Sequence, residues 1–265
     1  MTIAAAAPER FDIGRVISAG FGLFARRPIP ILLLALGLSY VPAVVVGWAA
    51  TNLTGPPPQP GVPPDFAAVF ERLGVLEAIA FLAAGVSWIF QGGIAIIAVA
   101  DGAGRSDAIG AQLTKLLGLA PVIFVAGFVA TLGIFFGTLL LIVPGVLLSL
   151  AWAVCPAVAA VENKGFMDIF RRSAELTRGC RGALFVIALL FGIAAAVLSF
   201  VVRLAAGAPL LANGGPQPPL LTFLIQPAVS AVIASVIACV NAAAYLELRG
   251  VKEGLTAGGL ASVFD

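Results

Sequence analysis

The sequence predicts an all-α membrane protein with six transmembrane helices and two interfacial amphipathic helices. The first observation is composition, because 61% of the 265 residues are hydrophobic and only 11% are charged. An average soluble domain is about 25% charged. The second is the mean hydropathy of +1.10. A soluble domain of this length does not have enough polar surface to cover so much apolar material.

The third observation is the length of the apolar runs, since a transmembrane helix needs about 20 mainly apolar residues. The predicted spans one to six cover about 29–53, 77–100, 116–139, 144–161, 183–202 and 221–245. A Pro-rich segment at 55–64 ends span one, because proline cannot continue a helix. We treat 1–265 as one integral membrane domain. Residues 1–28 form an N-terminal segment, and residues 246–265 form a polar tail that should fray.

Spans three and four come from one uninterrupted run. Residues 116–161 contain no charged side chain, and a single helix of that length would reach about 69 Å, twice the thickness of a bilayer core. The chain must therefore fold back on itself. We expect a tight hairpin between Leu139 and Pro144, with Pro144 and Gly145 opening the return helix.

The orientation follows from the basic residues. With the N-terminus inside, thirteen of the fifteen Lys and Arg residues fall in inner segments, and only Arg72 and Arg203 fall outside. Cytoplasmic loops of membrane proteins carry such an excess. The N-terminal residues lack the form of a secretory signal, and the Arg, Ala, Gly and Pro bias is typical of a bacterium. We expect a bacterial inner-membrane protein with both termini in the cytoplasm.

Two further segments have helical amphipathicity. Apolar residues share one face at 11–27 and again at 165–179, and charged residues lie opposite them. This pattern is typical of helices that lie along a membrane surface. The alternative is that both are short connectors packed against the bundle.

Few polar groups lie inside the spans. Gln91 and Asn241 are candidate intramembrane polar positions, either as hydrogen-bonded links between helices or as the lining of a substrate path. Gly133 and Gly137 form a G-x-x-x-G pattern, which we expect to pack helices within the chain.

The most informative stretch joins span four to span five. Five basic residues fall between Lys164 and Arg181. They are interpreted either as topology signals with pairs such as Asp168 and Arg172 four residues apart, or as a site for lipid phosphate. The candidate lipid-headgroup or structural polar cluster comprises Glu162, Arg171, Arg172, Ser173, Thr177, Arg178 and Arg249.

The same stretch carries a family resemblance. Pro156, then Glu162 and Gly165, then Arg172-Ser173-x-Glu175-Leu176-Thr177-Arg178-Gly179 resemble a signature of bacterial membrane proteins that include the membrane domain of some glycerophosphoryl diester phosphodiesterases. Further similar stretches are Ile13-Gly14-Arg15-Val16, Leu141-Ile142-Val143-Pro144-Gly145-Val146, and Tyr245-Leu246-Glu247-Leu248-Arg249 with Lys252-Glu253-Gly254. The resemblance implies a multi-pass helical domain without catalytic residues, because the hydrolytic chemistry of those proteins belongs to a separate soluble domain.

The residues do not indicate an enzyme. The chain contains no His, and no span carries the pair of reactive side chains that an intramembrane hydrolase needs. The sequence indicates no cofactor, no metal and no nucleic-acid partner. We expect a non-enzymatic protein that organises or senses membrane lipids, anionic ones among them, or a partner protein. The alternative is a small-molecule or lipid transporter, which a cavity lined by Gln91 and Asn241 would favour.

Overall fold

The computed structural model of the chain describes residues 10–53, 65–105, 109–162, 164–205 and 221–254. Over these residues the chain is helical and forms no strand. The α-helices are α1 (Ile13–Arg26), α2 (Pro28–Ala35), α3 (Val41–Leu53), α4 (Phe66–Gly102), α5 (Ile109–Leu140), α6 (Ile142–Ala151), α7 (Cys155–Val161), α8 (Phe166–Thr177), α9 (Arg181–Ala205) and α10 (Gln226–Glu253). The first π-turn, Leu36–Tyr40, joins α2 to α3, and the second π-turn, Leu221–Ile225, precedes α10.

Within the described residues, six helical stretches are long and apolar enough to cross a membrane, which confirms the all-helical prediction and the six predicted apolar helices. They are Pro28–Ala50, Phe66–Gly102, Ile109–Leu140, Ile142–Val161, Arg181–Ala205 and Phe223–Glu253. The Pro-rich segment 55–64, the loop 209–219 and the end of the tail lie outside the described residues.

Helix α4 begins well before the predicted span two, and helix α10 ends after the predicted span six. Helix α4 begins at Phe66 rather than near residue 77, because the Asp65 carboxylate caps it by accepting hydrogen bonds from the amides of Ala67 and Ala68 at 3.1 and 3.3 Å. Helix α10 continues to Glu253, so the prediction of a frayed tail is wrong for residues 246–253. Charged residues shorten an apolar run without interrupting a helix, which is why hydropathy misplaced these ends.

The predicted hairpin between α5 and α6 is confirmed, but the return helix begins at Ile142 rather than at Pro144. Leu141 is the single extended residue between them, with φ −158° and ψ 131°. Its N–H donates to the carbonyl of Gly137 at 3.1 Å, and its carbonyl accepts from the amide of Gly145 at 3.4 Å. Both polar groups of the turn are therefore satisfied within the hairpin, as an apolar environment requires.

Glycines let the two arms of the hairpin approach closely. A Cβ atom on Gly137 would lie 3.3 Å from Gly145 Cα, and a Cβ atom on Gly133 would lie 2.9 Å from the Trp152 ring. The G-x-x-x-G pattern therefore packs α5 against span four within the chain.

Span four is not one helix, contrary to the sequence prediction. Helix α6 ends at Ala151, residues 152–154 form a turn, and α7 begins at Cys155. Pro156 is the second residue of α7. Proline has no N–H and its ring clashes with the carbonyl four residues earlier, so an uninterrupted helix through this position is disfavoured.

The two amphipathic helices exist, but the bundle covers their apolar faces. In α1 the buried residues are Val16, Gly20 and Leu23, and a Cβ atom on Gly20 would lie 2.8 Å from Val240 Cα of α10. In α8 the buried residues are Ile169, Ser173, Leu176 and Thr177. Protein rather than lipid therefore contacts most of each apolar face, as the alternative interpretation predicts.

The core lies toward one end of the bundle. Nine consecutive residues of α4, from Gly92 to Ala100, are buried, as are all seven residues of α7 and most of α10 from Ala238 to Gly250. By contrast, only Leu184 and Ile187 are buried among the 25 residues of α9. Helix α9 is therefore held to the bundle near its N-terminus.

Replacing Gly145 by alanine should destabilise the hairpin. The new Cβ would lie 2.6 Å from the backbone nitrogen of Thr138, and overpacking of this kind costs about 1–3 kcal/mol. Gly118 of α5 is the matched control, because a Cβ there meets nothing within 4 Å. Thermal unfolding in detergent measures both variants, and an equal midpoint for the two would contradict the close approach.

Labelling with a membrane-impermeant maleimide tests the predicted topology. Met167 and Phe70 are 75% and 71% exposed, and the sequence places them inside and outside, respectively. In a Cys180→Ser background, Phe70→Cys should label in intact cells and Met167→Cys only after permeabilisation, because the reagent does not cross the membrane. Labelling of Met167→Cys in intact cells would overturn the cytoplasmic assignment.

Candidate functional site

At the break in span four, hydroxyl groups of α8 donate hydrogen bonds to a carbonyl that has no helical donor. The carbonyl of Ala151 has lost its usual helical donor, since the amide of Cys155 bonds to Trp152 instead at 3.1 Å. The Ser173 and Thr177 hydroxyls donate to the Ala151 carbonyl at 2.8 and 3.3 Å. Both side chains are fully buried. These two predicted site residues therefore fasten α8 to the broken span.

Glu162 follows α7 and organises a buried polar group. Its Oε2 accepts a hydrogen bond from Arg172 Nε at 2.9 Å, and its Oε1 accepts from the Tyr245 hydroxyl at 3.0 Å. Arg249 Nε lies 3.8 Å from the same Oε1. Glu253 contacts both arginines, with 2.7 Å between its Oε2 and Arg249 NH2.

We call these five residues, Glu162, Arg172, Tyr245, Arg249 and Glu253, the Glu162 network. Its two arginines and two glutamates balance in charge, and the Arg249 and Glu162 side chains are only 7% and 6% exposed. Buried charges persist where they are paired and hydrogen-bonded. The geometry therefore supports the structural interpretation for Glu162, Arg172 and Arg249.

The remaining arginines of the predicted cluster lie apart from this network. Arg171 donates to the exposed carboxylate of Glu175 at 3.2 Å, and Arg178 is exposed and accepts a hydrogen bond from Lys252 at its carbonyl. The predicted Asp168–Arg172 pair is replaced by the bonds from Arg172 to Glu162 and Glu253. The cluster is thus divided between the core and the surface.

Sequence reasoning missed Tyr245 and Glu253 as partners in this network. Their signal is periodic, because Tyr245, Arg249 and Glu253 are spaced four residues apart and share one face of α10. This spacing is informative only if the helix continues beyond residue 245, and the predicted span six ended there.

Further ion pairs join the same end of the bundle, which we call the basic end. Asp101, near the end of α4, accepts from Arg26 Nε at 2.9 Å and from Arg27 Nε at 3.0 Å. Arg15 of α1 donates to Glu247 of α10, with 2.9 Å between Nε and Oε1. This hydrogen bond raises the pKa of the Arg15 guanidinium. Ion pairs therefore connect α1, α4, α8 and α10 at this end.

The two predicted intramembrane amides meet at a cavity. Asn241 Nδ2 donates to Gln91 Oε1 at 3.2 Å and so links α10 to α4. Both side chains also line a cavity of about 350 Å³, a volume within the usual range for ligand sites. We call it the amide cavity. It combines the two interpretations offered by the sequence, a link between helices and a polar lining.

The walls of the amide cavity are mainly apolar. Trp88 and Trp152 contribute rings, Ala153 and Pro156 at the helix break contribute part of one wall, and α9 contributes another part. No lining side chain among the described residues is ionisable. The cavity suits an apolar ligand that carries one or two hydrogen-bonding groups, which the amides and Ser149 can meet.

The comparisons with known proteins give one match. Residues 92–248 match the family model described as "Domain of unknown function (DUF7847)", which is more than half of the chain, and the protein belongs to this family. The matched region contains the broken span, α8, Glu162 and Tyr245. No curated protein and no solved structure matches the chain.

Replacing Glu162 by alanine should strongly destabilise the fold. It leaves Arg172 and the buried Arg249 with a single carboxylate, and removal of one partner from a buried ion pair costs about 3–5 kcal/mol. The matched control is Glu175→Ala, which breaks an exposed pair worth less than about 0.5 kcal/mol. Unfolding in mixed micelles compares the two variants. Equal stability would show that the Glu162 network adds nothing to the fold.

Proposed function

We propose that this protein is a non-enzymatic integral membrane protein that binds a membrane lipid, with an acyl chain of that lipid in the amide cavity. The cavity is the observation that carries the proposal. It is largely apolar, of ligand size and free of ionisable lining groups, and it lies at the break in span four.

The packing of α9 supports entry from the side. Ala188 and Phe191 line the cavity, yet α9 is buried only at Leu184 and Ile187. An opening between α9 and the bundle would let a lipid chain enter from the bilayer without crossing a polar barrier.

The proposal includes the location expected from the sequence, a bacterial inner membrane with both termini in the cytoplasm. We also propose that the chain is related to the membrane domain of glycerophosphoryl diester phosphodiesterases. It would then be a membrane module without catalytic activity of its own. The Glu162 network supports this view, because its carboxylates are engaged by arginines. Lipids, anionic ones among them, are the proposed partners.

Filling the amide cavity should abolish lipid retention. Ala188→Phe places a ring against the cavity wall, whereas Ala194→Phe, on another face of α9 and outside the lining, is the matched control. Native mass spectrometry from mild detergent measures the retained lipid. We expect at least a tenfold loss for Ala188→Phe alone. Equal retention in both variants would overturn the assignment of the lipid to this cavity.

A lipid transporter is the second candidate, favoured by the position of Gln91 and Asn241 in the cavity wall. Proteoliposomes with fluorescent phosphatidylglycerol distinguish the two functions, because dithionite bleaches only the outer leaflet. Bleaching that stops at half would support a binding module. Bleaching of both leaflets that Ala188→Phe suppresses and Ala194→Phe preserves would identify transport instead.

A further inference from the structure

A second cavity, of about 430 Å³, lies toward the end of the bundle opposite the basic end. It is formed between α3 and the first π-turn, α4, the C-terminal part of α9 and the beginning of α10. We call it the outer pocket. Its polar lining residues are Ser39, Ser87, Arg203, Gln226 and Ser230. The amide cavity lies further along α4 and α10 and shares none of these residues.

The polar groups of the outer pocket have no protein partners within the described residues. Elsewhere in the helices, hydroxyls bond back to a carbonyl of the preceding turn, as Ser235 does at 2.7 Å and Thr131 at 2.7 Å. No such bond is formed by Ser39, Ser87 or Ser230 in the described part of the chain, and the buried Gln226 Oε1 also has none there. Buried polar atoms without a partner are rare, and a bound ligand or water commonly accounts for them.

The two π-turns meet at this pocket. Ser39 lies in the first π-turn, and Gln226 directly follows the second. The Tyr40 hydroxyl donates to the carbonyl of Phe223 at 3.2 Å and joins the two turns. Isolated π-turns within α-helices are frequent at functional sites, because the extra residue changes the direction of the side chains around it.

Arg203 supplies the charge of the pocket. Among the described lining residues it is the only ionisable one, and it has no ion pair with another described residue. A guanidinium binds phosphate or carboxylate through paired N–H donors. Gln226 Oε1 needs a donor, and the three hydroxyls can donate or accept. The remaining walls, including Leu38, Pro42 and Val46, are apolar.

We propose that the outer pocket binds an anionic group that carries hydroxyl or amine donors, with the anion at Arg203 and a donor at Gln226. An anionic glycerolipid headgroup and a free polyol phosphate share this chemistry. The apolar walls accept the hydrocarbon adjoining a headgroup. The proposal is independent of the amide cavity, because its variants lie outside that lining.

Two probes distinguish the sources. The first is sn-glycerol 3-phosphate, titrated calorimetrically into the protein in phosphatidylcholine nanodiscs. The second is phosphatidylglycerol in nanodiscs mixed with phosphatidylcholine, with retained lipid measured by native mass spectrometry. Binding of the first probe identifies a solute site. Selective retention of the second without binding of the first identifies a headgroup site. Either result supports the proposal if the variants described below weaken the binding of that probe.

The variants are Arg203→Gln and Gln226→Leu, with Arg72→Gln as the control, because Arg72 has the same charge, the same predicted side and a position outside the pocket. We expect each pocket variant to weaken binding at least tenfold, while the control binds as the parent does. Ser230→Ala, which removes a single hydroxyl, replaces any variant that fails to fold. Absence of binding by both probes, or equal binding by pocket and control variants, would overturn the proposal.

Discussion

The break in span four is the constraint on which the rest of the structure depends. Pro156 cannot donate to the carbonyl of Trp152 and its ring opposes an uninterrupted helix, so the chain turns at 152–154. The carbonyl of Ala151 then needs donors in an environment without water. Ser173 and Thr177 provide them, and α8 is thereby fixed against the bundle. That attachment places Arg172 beside Glu162 and so brings together the five residues of the Glu162 network. The same turn forms part of the wall of the amide cavity.

The two ends of the bundle differ in the partners of their polar side chains. At the basic end, carboxylates meet arginines from other helices: Asp101 binds Arg26 and Arg27, Glu247 binds Arg15, and Glu162 binds Arg172. Toward the opposite end, polar side chains face cavities, and Gln226 Oε1 is buried without a partner in the described residues. A scaffold fixed by ion pairs at one end suits the proposed binding role, because rigid elements hold binding groups in position.

Helix α9 is the least buried of the six apolar stretches found within the described residues. Leu184 and Ile187 are its only buried residues, and Phe191 packs against the core from a partly buried position. Segments with few buried apolar contacts open at low free energy. The helix also lines the amide cavity through Ala188 and the outer pocket through Arg203. Movement of this one helix would therefore change both cavities together, without breaking an ion pair at the basic end.

The sequence by itself determined the all-helical class, the six apolar stretches, the hairpin near Pro144 and the two amides as candidate links between helices. These follow from run length, proline chemistry and the cost of isolated polar groups in an apolar medium, which are local properties. It did not determine where Glu162, Arg172 and Arg249 meet, because ion pairs between α7, α8 and α10 depend on how helices cross. It placed Ser173 and Thr177 in the candidate lipid-headgroup or structural polar cluster, but it did not show that they bond to the carbonyl of Ala151 at the break in span four. The sequence could not predict the cavities either. An empty volume depends on how several helices pack together, and only the tertiary structure decides that packing.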